Sequence, residues 1–379
     1  MLNSDRKIKI LILLLLYGVI SKNISLLRQA FSELGTETQI QNAIKTLKEK
    51  GYIEMVRVKN YEHTANNEKD GYKLTHKGIK EIEMLNKKNN TSFEMSEKVK
   101  KRLKNKQYDL LIRLSEVDFL FHDSNDVISR DDIYNQYPAP ITHENESLRF
   151  HAGFKAYEEI IPIYHIKQSV REVKVVAERK FFDILNGVTG ITTSAYNKIL
   201  VADDERIIDK LIKNMNKDTV PNFINSKEKT YVFYPHRPHE KTYLLTLKEN
   251  PNDAFLFLRF AKSYRKEFEQ GVFEKYPNAK AFERSTFSIS RASDKITKYL
   301  NPVLFFEVED MFNWYSFFLR HNREFQETKT MIVFFTLNCN QFLLEYLFKD
   351  FPFIVVKSCL ASDVIAFCKM ARQQNDSAA

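Results

Sequence analysis

The sequence contains few cysteines and no cysteine pattern that would hold a domain together. Only three occur in 379 residues, Cys339, Cys359 and Cys368, and no two of them form a CxxC pair. An odd number of late cysteines does not suit a disulfide framework, whereas it fits the reducing cytoplasm. We therefore expect a cytoplasmic protein without structural disulfide bonds.

Several signatures of enzymes are also missing. The sequence has no GxxxxGK[ST] phosphate loop, no GxGxxG, no HExxH, no GxSxG and no cluster of three histidines. His236 and His239 enclose Pro238, which disfavours a helix, and no third ligand lies at a spacing typical of zinc sites. These absences predict a non-enzymatic protein without a metal or another cofactor.

No apolar run is long enough to span a membrane. The apolar stretch from Ile10 to Tyr17 follows the charged Lys7-Ile8-Lys9 and so imitates the start of a secretory signal, but no small-residue cleavage site comes after it. We expect a buried first helix here, and we expect no membrane partner.

The excess of positive over negative charge lies in the first quarter of the chain. Residues 1–106 hold 22 Lys and Arg against 12 Asp and Glu, whereas the remainder holds 36 against 37. A local basic excess of this kind is expected where a protein meets a polyanion such as DNA.

The first half of this basic region shows three helix signals. Apolar spacing predicts helices over Arg6 to Val19 and Ser25 to Leu34. Gly35 is expected to turn the chain, and a third helix begins near Thr36 and ends at Gly51. This third helix carries a single apolar stripe, formed by Ile40, Ala43, Ile44 and Leu47.

Two strand signals follow the helices. Alternation from Tyr52 to Val58 predicts a strand, a polar stretch runs from Asn60 to Gly71, and a short strand covers Tyr72 to Thr75. Thr75 is placed to cap a fourth helix that runs through Leu85. Three helices, a strand, a loop and a strand are the winged helix-turn-helix order, so we expect residues 1–88 to form such a domain.

The side chains turned away from the apolar stripe of the third helix are those that can enter a major groove. Glutamine and asparagine can form paired hydrogen bonds with adenine, whereas lysine more readily holds phosphate. Basic residues of the expected wing can follow the DNA backbone or the minor groove. The candidate DNA-binding residues are Thr38, Gln39, Gln41, Asn42, Lys45 and Lys48 on the helix, and Arg57, Lys59 and Lys73 on the wing.

The rest of the chain differs in composition. Residues 89–106 are rich in asparagine, lysine and serine, which predicts a basic linker or a basic helix. Apolar runs alternate with helical patterns from residue 107 to 379, as in the strand Lys198 to Ala202 followed by a helix from Asp204 to Met215. We therefore expect a multi-domain α/β protein whose second domain, residues 107–379, contains a mixed sheet.

A metal-dependent nuclease is the alternative. Glu172 and Lys174 lie two residues apart near an expected strand, so they share one face and can hold a divalent ion and orient water. Glu-x-Lys is also common by chance in a sequence with 28% charged residues. Similar pairs are Glu178 with Lys180 and Glu307 with Glu309. Loose candidates for a further acidic ligand are Asp118, Asp131 and Asp132.

Three stretches carry a family resemblance: Leu74-Thr75 before Gly78, Ser169 to Lys174, and the glycine-centred Gly187 to Thr193. In its first part, the chain resembles bacterial winged-helix regulators. As a whole, it resembles the plasmid replication-relaxation proteins and related accessory proteins of Gram-positive mobile elements. The resemblance implies a restriction-endonuclease-like second domain that often lacks a working active site. It also implies binding to plasmid or conjugative-element DNA near a replication or transfer origin.

We thus predict a sequence-specific accessory protein that binds double-stranded DNA and serves replication, transfer or their regulation. Its second domain is expected to contact a protein partner or a second copy of the chain. A third interpretation is an antitoxin-like transcriptional regulator, which would bind both its promoter and a protein.

Overall fold

The protein is mixed α/β and divides into two compact units, Met1–Asp123 and Ser124–Ala379. The structure is a computed structural model that describes residues 5–58, 69–89, 105–122, 124–136, 150–156, 159–166, 198–216, 242–247, 299–300, 308–327, 331–337 and 341–359, together with residues 91, 93, 99 and 103. The predicted α/β class with a mixed sheet is confirmed.

The first unit consists of helices around a small antiparallel sheet. In chain order it contains α1 (Asp5–Tyr17), β1 (Val19–Ser21), α2 (Ile24–Ala30), a 3-10 helix (Ser32–Leu34), α3 (Glu37–Glu49), β2 (Ile53–Val58), β3 (Lys69–Leu74), α4 (His76–Asn89) and α5 (Asn105–Leu120). The strand order is β1-β3-β2, and β3 pairs antiparallel with both neighbours.

Two helices are shorter than their apolar spacing predicts. The first ends at Tyr17 instead of Val19, because Gly18 takes a φ of 75° and donates its N–H to the carbonyl of Leu14 at 2.9 Å, as in a glycine-terminated helix. The following residues pair with β3 as the strand β1, which the sequence analysis missed. The second predicted helix breaks at Phe31 into α2 and the 3-10 helix.

Local signals set both ends of α3 as predicted. Thr36 accepts the N–H of Gln39 at 3.3 Å, and the side chain of Gln39 accepts the N–H of Thr36 at 3.0 Å, which completes a capping box. Gly51, with a φ of 72°, donates its N–H to the carbonyl of Lys48 at 2.9 Å and ends the helix.

Helix α5 belongs to the first unit. Its Ile112 is fully buried in an apolar cluster that the sheet supplies through Val19, Val56 and Val58. The hydroxyl of Ser115 accepts the N–H of Ser21 at 3.2 Å, so α5 also satisfies a backbone donor of β1. The first unit consequently extends to residue 123, whereas the sequence analysis began the second domain at residue 107.

Two sheets lie within the described residues of the second unit. Its elements are β4 (Val127–Ser129), α6 (Arg130–Gln136), β5 (Ala152–Ala156), β6 (Glu159–Ile166), β7 (Lys198–Ala202), α7 (Glu205–Asn216), β8 (Thr242–Thr246), β9 (Tyr299–Leu300), α8 (Val308–Glu327), β10 (Met331–Leu337), α9 (Gln341–Leu347) and β11 (Ile354–Cys359). The five-stranded sheet runs β4-β5-β6-β7-β8, antiparallel up to β6 and parallel beyond it. The three-stranded sheet, β11-β10-β9, is parallel.

Aromatic side chains fill the core beside β10 and β11. Phe318 of α8 is fully buried, and its ring lies within 6 Å of those of Trp314, Phe334 and Phe353. This packing accounts for part of the high phenylalanine content as core.

Among the helices that the structure describes, none has the length and apolarity needed to cross a membrane.

Candidate nucleic-acid interface

Helix α3 separates cleanly into a buried side and a polar exposed side. The four residues of its apolar stripe are buried, as their spacing predicts. The opposite side is exposed at every candidate position, namely Thr38, Gln39, Gln41, Asn42, Lys45 and Lys48. At about 1.5 Å per residue the helix is roughly 20 Å long, and its exposed side is polar throughout.

Six candidate side chains are exposed and have no hydrogen-bond or ion-pair partner within the part of the chain that the structure describes. Five lie on α3 and one on β2: Thr38, Gln41, Asn42, Lys45, Lys48 and Arg57. We call these six residues the polar face. Their donors, acceptors and charges are therefore available to a ligand without the loss of an internal contact.

Gln39 differs from its neighbours although it is also exposed. Its side-chain oxygen accepts the N–H of Thr36 at 3.0 Å and a guanidinium N–H of Arg6, on α1, at 3.2 Å. This residue is thus engaged in holding the start of α3.

Lys73 is engaged as well. Its Nζ lies 3.0 Å from a carboxylate oxygen of Glu54, donates to the hydroxyl of Tyr108 at 3.1 Å and sits 5.1 Å from the centre of that ring. Burial lowers the pKa of Lys73, but its hydrogen bonds to Tyr108 and Glu54 outweigh this effect and leave the pKa above its ordinary value. The ammonium stays charged and fastens β3 to α5.

We expect Lys73→Ala to lower the stability of the first unit by about 1 kcal/mol, because the ion pair is partly exposed and the cation–π contact is modest. We expect the salt dependence of DNA binding to stay as in wild type, since the side chain already has internal partners. Chemical denaturation and binding titrations at several salt concentrations measure the two quantities. A reduced salt slope would show that Lys73 meets phosphate instead.

Two basic residues outside α3 also lie on the exposed surface of the first unit. Lys22 precedes α2 and pairs with Asp70 at 3.1 Å, and Arg28 near the end of α2 lies 4.0 Å from Glu37. Both side chains are more than half exposed. The sequence analysis considered only the third helix and the wing, although the polar positions of the α2 pattern would have indicated Arg28.

Most residues of the nuclease alternative lie outside the described residues, namely Glu172, Lys174, Glu178, Lys180 and Glu307. The wing residue Lys59 and the two histidines, His236 and His239, also lie outside them. Asp131 and Asp132 are exposed in the first turn of α6, where Asp132 accepts the hydroxyl of Ser129 at 2.6 Å in a helix cap. Asp118 lies on α5 in the first unit, and Glu309 lies on α8.

The carboxyl ends of the parallel strands in the second unit carry a histidine–aspartate pair that the sequence analysis missed. His165, near the end of β6, places Nε2 2.7 Å from a carboxylate oxygen of Asp203, which follows β7. The backbone N–H of His165 donates to Nδ1 of His151 at 3.1 Å. The imidazole of His165 has no exposed surface, so this pair fastens the ends of two strands. A polar residue directly at the end of an apolar strand is the sequence signal for such a pair.

Comparison of the chain with protein-family models, with curated proteins and with solved structures finds no match.

Proposed function

We propose that the first unit contains a winged helix-turn-helix that binds double-stranded DNA, with α3 in the major groove. The observation that carries the proposal is the polar face, whose six side chains are exposed and have no partners among the described residues. Gln41 and Asn42 have the groups that pair with adenine, and Lys45, Lys48 and Arg57 carry the charge that holds phosphate.

The order of elements supports the same proposal. Helices α1, α2 and α3 precede the hairpin of β2 and β3, and the short β1 completes a sheet of order β1-β3-β2, as expected for a winged helix. In helix-turn-helix proteins the second helix of the motif enters the groove and the first crosses the backbone. Here the second helix is α3 and the first is α2. Lys22, which precedes α2, and Arg28, which lies on α2, are then near the phosphates.

The charge distribution is the third support. The basic excess of residues 1–106 coincides with the unit that carries the polar face, while the rest of the chain is close to neutral. Sequence-independent affinity for DNA arises from such contacts between basic residues and phosphate. We further propose a cytoplasmic, non-enzymatic accessory role on mobile-element DNA. In this role the second unit, which we expect to be restriction-endonuclease-like, contacts a protein or a second copy of the chain.

Selection of bound fragments tests the proposal. Genomic and plasmid DNA fragments from the source organism are incubated with the full chain at physiological salt, and the bound fraction is sequenced. We expect enrichment of one site beside a replication or transfer region. Recovery of all fragments to the same extent would contradict sequence-specific binding. Failure to retain any fragment would contradict DNA binding altogether.

A further inference from the structure

The turn between the 3-10 helix and α3 is held by four residues from two parts of the chain. We call Arg6, Gly35, Thr36 and Gln39 the turn clamp. Thr36 and Gln39 cap α3 through two reciprocal hydrogen bonds, at 3.3 and 3.0 Å. Arg6 approaches from α1 and donates to both the carbonyl of Leu34 and the side chain of Gln39.

The acceptor of Gln39 is fully used within the turn clamp. A carbonyl oxygen has two lone pairs, and the side-chain oxygen of Gln39 accepts one N–H from Thr36 and one from Arg6. Paired hydrogen bonds to adenine require both the oxygen and the amide N–H of glutamine. Gln39 could read adenine only by breaking two existing hydrogen bonds, whereas the side chains of Gln41 and Asn42 have none to break within the described part of the chain.

Gly35 makes the approach of Arg6 to Gln39 sterically feasible. Its φ of 90° is a conformation that other residues rarely adopt, and a Cβ at this position would lie 2.2 Å from the side-chain oxygen of Gln39 and 2.9 Å from Arg6. The turn therefore has the glycine that these contacts require.

Arg6 connects the end of one helix to the start of the next. Two nitrogens of its guanidinium donate hydrogen bonds in different directions. One donates to the carbonyl of Leu34, which precedes the turn in the chain, and the other donates to the side chain of Gln39, which follows the turn. A lysine donates from one nitrogen, so it cannot place two donor nitrogens at separate positions in the fixed geometry of a guanidinium. The position of α3 relative to α1 consequently depends on arginine at this site.

We propose that Gln39 and Arg6 are positioning residues that set how α3 is presented to DNA, and that base discrimination comes from Gln41 and Asn42. The inference rests on the proposed function, because it concerns the same helix in the same groove. It assigns different roles to two exposed glutamines, Gln39 and Gln41, that lie two positions apart in the sequence.

The substitution Gln39→Glu tests this assignment. Glutamate also forms a capping box and pairs with Arg6, so α3 keeps its position, while the amide that would read adenine is lost. The full chain is titrated with the selected duplex and with its single-base variants. We expect the added negative charge to weaken binding by a similar factor for every sequence, so that relative affinities stay within about twofold of wild type.

The matched control is Gln41→Glu, which makes the same charge change outside the turn clamp. We expect it to alter the preference at one base position on the order of tenfold. A change of base preference of that size in Gln39→Glu would overturn the inference. If wild type shows no preference among duplexes, the proposed function fails first, and the two failures are thus distinguishable.

Arg6→Lys tests the positioning role without removing charge. We expect the ratio of affinities for the selected and a scrambled duplex to fall on the order of tenfold, while the slope of affinity against salt stays as in wild type. Circular dichroism melting shows whether the first unit remains folded. An unchanged ratio, with the first unit still folded, would overturn the inference, since it would show that lysine at this position presents α3 to DNA as well as arginine does.

Discussion

The double variant Lys45→Ala/Arg57→Ala is expected to bind the selected duplex on the order of 50-fold more weakly than wild type near 0.1 M salt. Each lost phosphate contact removes about 0.9 from the slope of log affinity against log salt, which is roughly an eightfold loss at this concentration. Both side chains are exposed and have no internal partner among the described residues, so their removal leaves the fold intact.

Fluorescence anisotropy with a labelled duplex at several salt concentrations measures both the affinity and the slope. The control is Arg323→Ala/Lys349→Ala, which removes the same charge from exposed positions of the second unit. We expect the slope to fall by about 1.8 in the first variant and to stay unchanged in the control. Equal losses in the two variants would mean that net charge, and not the polar face, governs binding.

Gly78→Ala is expected to destabilise the first unit by about 3 kcal/mol, at the upper end of the values for overpacked sites. Gly78 lies in the first turn of α4, where a Cβ would come within 2.1 Å of the backbone carbonyl oxygen of Tyr52. That carbonyl also accepts the N–H of Thr75 at 3.0 Å, so it cannot move away without the loss of a hydrogen bond. The clash is with backbone, and no side-chain rotation relieves it.

Amide hydrogen exchange of peptides from the first unit measures this loss in the full chain. Gly51→Asn is the control, because Gly51 has a φ of 72° and no atom within 4 Å of an added Cβ. Asparagine tolerates this backbone conformation, so we expect a cost under about 1 kcal/mol. Similar protection in Gly78→Ala and wild type would show that α4 does not pack on Tyr52 as described.

The sequence predicted α3 well because its signals are local. Thr36 and Gln39 form the capping box within one turn, Gly51 follows the last turn, and the apolar stripe has the helical period. The prediction for the end of the first helix was wrong, although Gly18 is a local signal that ends this helix at Tyr17. Val19 and Ile20 are as apolar as the helix before them, and their pairing with Lys73 and Tyr72 of β3 makes them a strand.

The placement of α5 shows the same difference on a larger scale. Leu111 and Leu114 are spaced as on one side of an amphipathic helix, and the helix Asn105–Leu120 contains them. The spacing of these apolar residues does not show whether they pack in the core of the first unit or in the core of the second unit. Ile112 packs with Val56 and Val58, and these contacts, distant in sequence, place α5 in the first unit.

The sequence by itself determined which side of α3 is polar and exposed, because the alternation of buried and exposed residues on a helix follows from its period of 3.6. Only the tertiary structure decided which candidates are free. Gln39 is engaged by Arg6, 33 residues away, and Lys73 by Tyr108, 35 residues away. Local patterns carry no information about such distant partners, since the folded chain alone brings these side chains within hydrogen-bond distance.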